Sequence, residues 1–122
     1  MGQEAMAKGT RLTQSYGKHA AISPRRTSLR VLLRKPSPSG LCTAAVISEV
    51  QETGVVAAIK HFVANDQEHE RMGFDALVTY RALREIYLLP FMIVVKDAGP
   101  GAVMMSYNRV NGCHVTEDSK ML

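Results

Sequence analysis

A chain of 122 residues, 46% hydrophobic and 21% charged, has room for one small globular domain and no more. Its net charge of +4 is unevenly spread: residues 1–40 carry eight Lys/Arg against Glu4 alone, a net +7, while residues 41–122 carry seven basic and ten acidic side chains, a net −3. The step excludes a uniformly basic nucleic-acid-coating domain, whose charge would spread over one folded face. No apolar run reaches the roughly 18 residues of a membrane span, and the start, MGQEAMAKG, lacks the charged-then-apolar layout of a signal peptide.

Residues 1–40 read as a basic, disordered or out-of-frame segment. The stretch SPRRTSLRVLLRKPSPSG mixes Arg, Pro and Ser with apolar residues in no sustained period, the composition of a tail or linker. From Leu41 the character changes. LCTAAVISEV predicts a short helix closed by Thr53-Gly54. VVAAIKHFV (55–63) is a compact apolar run of the kind a buried parallel strand shows, and NDQEHERMG (65–73) is a polar loop. Residues 76–97 predict a long helix whose stripe is Leu77, Tyr80, Leu83, Ile86, Tyr87 and Pro90/Phe91. Pro90 must kink or restart that helix, because it has no amide hydrogen to donate to the preceding turn. Gly99-Pro100-Gly101 breaks the chain, AVMMSY (102–107) predicts a second buried strand, and NRVNGCHVTED (108–118) a loop turning at Asn111-Gly112. Helix, strand, helix, strand is the rhythm of a parallel α/β sheet, in which function gathers at the C-terminal ends of the strands.

Those ends are Lys60-His61 and Ser106-Tyr107. Lys60 and His61 offer up to five hydrogen-bond donors to a polyhydroxylated or anionic ligand. The plain alternative is a strand end emerging into solvent, and for Tyr107 a rim aromatic. Asp66, Glu68 and Glu70 could supply acid/base chemistry, but their spacing and the adjacent Arg71 fit a solvated or salt-bridged loop equally well. His61 and His69 lack a third ligand at zinc spacing. Cys42 and Cys113 lie 71 positions apart without CxxC spacing, so both read as free thiols.

Three blocks, KHFVANDQEHER (60–71), ALREIYLLPF (82–91) and AVMMSYNRVNG (102–112), closely resemble glycoside hydrolase family 3 and its fungal-type β-glucosidases. The resemblance covers residues 43–122. It implies an α/β fold, a partial (β/α)8 barrel of TIM type with a few βα units only. It implies hydrolysis of terminal β-linked glucose with retention, no cofactor, and a β-glucoside or glucose as partner. Lys60 and His61 match the pair that hydrogen-bonds the glucosyl unit, and Tyr107 matches the tyrosine packed beside the nucleophile. It implies no nucleic-acid or membrane partner, and it leaves localisation and oligomeric state open.

Two departures qualify the resemblance. The family's nucleophile is an Asp in a Ser-Asp-Trp segment, and the sequence stops 15 residues after Tyr107 without one. Retaining hydrolysis needs two carboxyl groups about 5–5.5 Å apart, so no turnover is expected of this polypeptide and no residue is assigned as catalytic. A fragment of a barrel also exposes strand edges, so low stability and aggregation are expected. The alternative function is a non-catalytic remnant that binds a carbohydrate or an acidic partner. The second departure is residues 10–40, which lack the family's Gly-Gly-Arg segment. Codons for Ala21 to Thr27 can be chosen so that the next frame reads Arg-Ser-Pro-Leu-Gly-Gly-Arg, which explains both the lost segment and the charge step. Sequencing the locus tests this: the shifted frame between Gly9 and Gly40 is expected to spell a family-like segment, and a frame that spells none refutes the slip.

Overall fold

The computed structural model describes residues 35–122 and, for the backbone alone, residues 12–16. The segment MGQEAMAKG, the place where the resemblance would put a Gly-Gly-Arg segment, and most of the basic stretch up to Arg34 lie outside the described residues. In chain order the elements are β1 (Leu12–Tyr16), α1 (Pro36–Glu52), β2 (Val56–Phe62), β3 (Asp75–Ala76), α2 (Tyr80–Ala82), a π-helical segment (Leu83–Leu88), α3 (Leu89–Ala98), β4 (Ala102–Met105), β5 (Arg109–Val110) and β6 (Cys113–His114). A 3-10 turn over Val115–Glu117 follows.

The predicted alternation of helix and strand is observed, with β1 added at the front. β2 is the middle strand of a three-stranded parallel sheet ordered β1-β2-β4. A middle parallel strand is flanked on both edges and covered by helices, which is why its residues 57–59 (Ala-Ala-Ile) are all buried. α1 and α3 pack side by side on one face of this sheet. Ala44, Ile47 and Val50 of α1 meet Val94 of α3 and Ala57 and Ile59 of β2 in one apolar cluster. A second cluster lies past the end of β2, where Val63 and Ala64 pack with Leu83, Val110 and Val115.

Five expectations are corrected. The first helix starts at Pro36 rather than Leu41, because Pro is well placed in a first turn, where its missing amide hydrogen has no intrahelical acceptor to lose. It ends where expected: Gly54 takes φ 81° and its N–H bonds the Gln51 carbonyl at 2.9 Å. The second helix starts at Tyr80, not 76, because the Thr79 hydroxyl accepts the Ala82 N–H and caps it. Leu77 is therefore outside the helix and 83% exposed. Within that helix the inward face is Leu83, Tyr87, Leu88, Phe91 and Val94, while Tyr80 and Ile86 face solvent. The π-helical segment advances the face by an extra residue per turn ahead of Pro90, which then opens α3 in its first turn.

β4 is shorter than 102–107 and only half-buried, because it is an outer strand of its sheet. The expected loop at 108–118 contains a hairpin, β5 against β6, whose two turn residues Asn111 and Gly112 have φ 51° and 88°. Positive φ at both positions is the type I′ requirement that Asn-Gly meets at little cost. The hairpin is pinned sideways, since the Asn111 side chain exchanges two hydrogen bonds with the backbone of Val78 at 2.9 and 2.8 Å.

At the end of the sheet away from Lys60, Gln51 acts as a staple. Its amide donates to the Ala98 carbonyl at 3.1 Å and accepts from the Gly101 N–H at 3.0 Å, tying α1 to both the end of α3 and the start of β4. The helices approach most closely at Gly40, where an added Cβ would lie 2.9 Å from the Ile93 Cβ and 3.1 Å from the Pro90 Cα. Gly40→Ala sets a gain in helix propensity of up to about 1 kcal/mol against overpacking that typically costs about 1–3 kcal/mol. One of the opposing atoms is backbone, so overpacking wins. The urea midpoint of the variant is expected to fall, and an unchanged or raised midpoint would show that the helices separate freely.

Candidate functional site

Strict alternation along β2 would put Ala57, Ile59 and His61 on the helix side and Ala58, Lys60 and Phe62 on the other. The structure departs from that at one place. β2 and β4 pair as Ala58 with Ala102, Ile59 with Val103 and Lys60 with Met104, but the next pair is Phe62 with Met105. His61 has no opposite residue: it is a β-bulge, uncommon between parallel strands. After it the phase of the strand is reversed. Phe62, not His61, turns to the helix layer, where its ring stands edge-on to Phe91 at 5.1 Å between centroids. Ile59 and Phe62, three positions apart, both serve the helix side, and Lys60 and His61 lie between them, both half-buried. The peptide bonds Lys60–His61 and Phe62–Val63 are cis.

Tyr107 stands two residues past the end of β4 and is half-exposed. The two strand ends are joined directly, since the Ser106 N–H donates to the Phe62 carbonyl at 2.6 Å. The loop that follows β2 folds back over the same place. Its Arg71 guanidinium lies over the Tyr107 ring, 5.1 Å from the centroid. The structure places the three candidate residues at the same end of the sheet, Lys60 and His61 on β2 and Tyr107 just past β4.

The loop carboxylates are engaged locally. Glu68 accepts from Arg71 at 2.8 Å and from the Asn65 amide at 3.2 Å, the salt-bridged loop that the spacing allowed. Both Glu68 and Arg71 are well exposed, so this pair adds little to stability. Asp66 accepts a hydrogen bond from the Tyr87 hydroxyl at 2.6 Å. That contact spans 21 positions and had no local signature in the sequence. No three His, Cys, Asp or Glu side chains among the described residues cluster as metal ligands, and none of the described helices is long and apolar enough to cross a membrane.

The Asp66 hydrogen bond, helped by burial and the carboxylate's charge, pushes the Tyr87 hydroxyl up from 10.0 to about 12. A raised folded-state value means the neutral phenol is the form the fold favours. Its contribution is complete below pH 10 and is lost as the pH rises through about 12. In a near-ultraviolet tyrosine titration, Tyr87→Phe is expected to remove a phenol that ionises near 12, and Asp66→Asn to lower that transition toward 10.0. An unchanged profile in Asp66→Asn would dismiss the contact.

Comparison with known proteins fits this geometry. A family model described as the glycosyl hydrolase family 3 N-terminal domain matches residues 36–122. A curated protein of Aspergillus flavus, "Probable beta-glucosidase H", is 48% identical over 123 residues, an alignment covering 100% of this chain and 15% of that protein. "Probable beta-glucosidase K" of Emericella nidulans is 44% identical over 131 residues, again 15% of its length. Among solved structures, β-glucosidase 3B from Thermotoga neapolitana in complex with glucose superposes with a TM-score of 0.82 at 36% identity, covering 100% of this chain and 17% of that one. The Kluyveromyces marxianus β-glucosidase in complex with glucose gives 0.81 at 33% identity, over 100% and 15%.

Proposed function

The chain belongs to glycosyl hydrolase family 3, as part of its barrel domain, and from that membership we propose that residues 60–107 form one wall of a glucose-binding site in a β-glucosidase. The observation that carries the reading is the bulge at His61, which lets two adjacent polar residues, Lys60 and His61, stand between the core residues Ile59 and Phe62 at the C-terminal end of a barrel strand. That end of a barrel is where ligands are bound. Glucose presents hydroxyl groups around its ring, and each needs a partner once it leaves water. The Lys60 ammonium has three donors in fixed proximity to its stem, and the His61 ring can donate or accept. Tyr107, held from behind by the Arg71 guanidinium, offers an aromatic surface beside them.

The wall binds and orients; it is not assigned the bond-breaking step. Retaining hydrolysis needs one carboxylate as nucleophile and a second carboxyl group as acid, about 5–5.5 Å apart. Beside this wall, Asp66 is committed to Tyr87 and Glu68 to Arg71 and Asn65. The chain spans 15–17% of the relatives described above, so their complete activity is a property of much longer proteins.

Glucose titration followed by NMR on the 122-residue chain tests the wall. Signals of Lys60, His61 and Phe62 are expected to shift with added glucose, and silence there would end the reading. Lys60→Ala and His61→Ala are each expected to weaken binding roughly tenfold, the worth of one hydrogen bond to a charged or well-aligned group. The same polypeptide, incubated alone with an aryl β-glucoside, is expected to release no glucose; measurable turnover would place a catalytic carboxylate within these residues.

A further inference from the structure

The bulge needs a cause, because a parallel ladder that slips by one residue leaves amides out of step with their partners. Val63 is the residue affected. It follows β2 directly, is 1% exposed, and has neither a water shell nor a regular strand partner for its backbone. The Ser106 hydroxyl meets both needs at once: it accepts from the Val63 N–H at 3.1 Å and donates to the Val63 carbonyl at 2.8 Å. The Ser106 N–H bonds the Phe62 carbonyl one residue earlier, so Ser106 holds two consecutive peptide groups past the bulge. Asn108, fully buried, reaches the same Val63 carbonyl from its amide at 3.5 Å and donates to the Arg109 carbonyl at 3.0 Å.

We propose that Ser106 is a positioning residue of the glucose-binding wall: its hydroxyl takes the place of the missing ladder bonds at Val63, holds the strand in its slipped register, and so keeps Lys60 and His61 together between Ile59 and Phe62, at the same end of the sheet as Tyr107. The proposal rests on the reading of Lys60 and His61 as sugar-binding groups. It assigns Ser106 no contact with the sugar. Ser106 is buried, adjacent to Tyr107 in sequence and bonded across to the strand that carries Lys60 and His61. One side chain therefore fixes both halves of the wall. Its replacement by an apolar side chain leaves a buried N–H and carbonyl short of partners, and the strand regains them most simply by returning to regular register, which turns His61 toward the helices.

Amide hydrogen exchange read by mass spectrometry on the full 122-residue chain, with and without glucose, tests this in the wild type, Ser106→Ala and Ser106→Thr. In Ser106→Ala, exchange over residues 62–64 is expected to accelerate about tenfold, the consequence of one lost buried hydrogen bond. Helix Pro36–Glu52 should exchange as in the wild type. Glucose should slow exchange over residues 57–63 in the wild type and no longer do so in Ser106→Ala. Ser106→Thr, which keeps the hydroxyl, should restore both effects. Unchanged exchange over 62–64, an equal acceleration across Pro36–Glu52, or full retention of the glucose effect in Ser106→Ala would each overturn the positioning role. Absence of any glucose effect in the wild type would instead overturn the sugar-binding reading, while the response of residues 62–64 to Ser106→Ala would still decide whether the register is held this way.

Discussion

Everything at the C-terminal end of β2 depends on a slip of one residue between β2 and β4. A β-strand alternates its side chains strictly, so two adjacent residues of a regular strand cannot serve the same face. The chain needs the helix side of β2 apolar, and it supplies Ala57, Ile59 and Phe62 for that purpose. Those positions are two and then three apart. The extra residue is His61, and the register shift that absorbs it is what allows a packed core and a paired polar site to share one strand.

The constraint is tolerable because the rest of the unit is held at both ends. Away from the site, the Gln51 side chain bridges α1, α3 and the start of β4, so the two strands begin in fixed relation. At the site, hydrogen bonds between β2 and β4 give way to side-chain bonds, with Ser106 and Asn108 on Val63. Between the ends, Gly40 lets the helices approach until the only space left is filled by Ile93 and Pro90. A sheet gripped in this way can absorb one irregular residue without passing the error along the strand. Burial enforces that containment, since a slip carried toward Val55 would turn Ala57 and Ile59 out of the core.

How much of this was legible in the sequence differs by element. The order of helices and strands follows from where apolar runs stop and where Gly-Pro and Asn-Gly interrupt them, all local signals. Lys60, His61 and Tyr107 stood out because polar residues at the end of an apolar run are costly unless something binds them. The reversal of phase at His61 was not legible, because Ala-Ala-Ile-Lys-His-Phe fits either register and the choice is made by Ser106, more than forty residues later. The helix face was misread for a similar reason. A period of 3.6 selects Tyr80 and Ile86 along with Leu83, Tyr87 and Phe91; Pro90 cannot close a regular turn, and the π-helical turns before it bring in Leu88 and leave Tyr80 and Ile86 outside. The starting point of α1 was misjudged because Pro36 and Pro38 read as linker in isolation and as a first helical turn only when followed by a helix.

The contrast between the two tyrosines shows what the loop after β2 contributes. Tyr107 is held through its ring face by a cation. Tyr87 is held through its hydroxyl by Asp66, which commits the polar end and leaves the ring to pack with the second apolar cluster. Asp66 and Arg71 belong to the same short loop, so one segment fastens a structural tyrosine on the helix and braces a site tyrosine at the strand end. Arg71, held by Glu68 within that loop, lies over the Tyr107 ring. Neither bond is strong alone, because both are partly in water. Their value is geometric: Ser106 holds the backbone of the strand ends and the loop holds the Tyr107 ring, and the proposed sugar-binding wall depends on both staying in place.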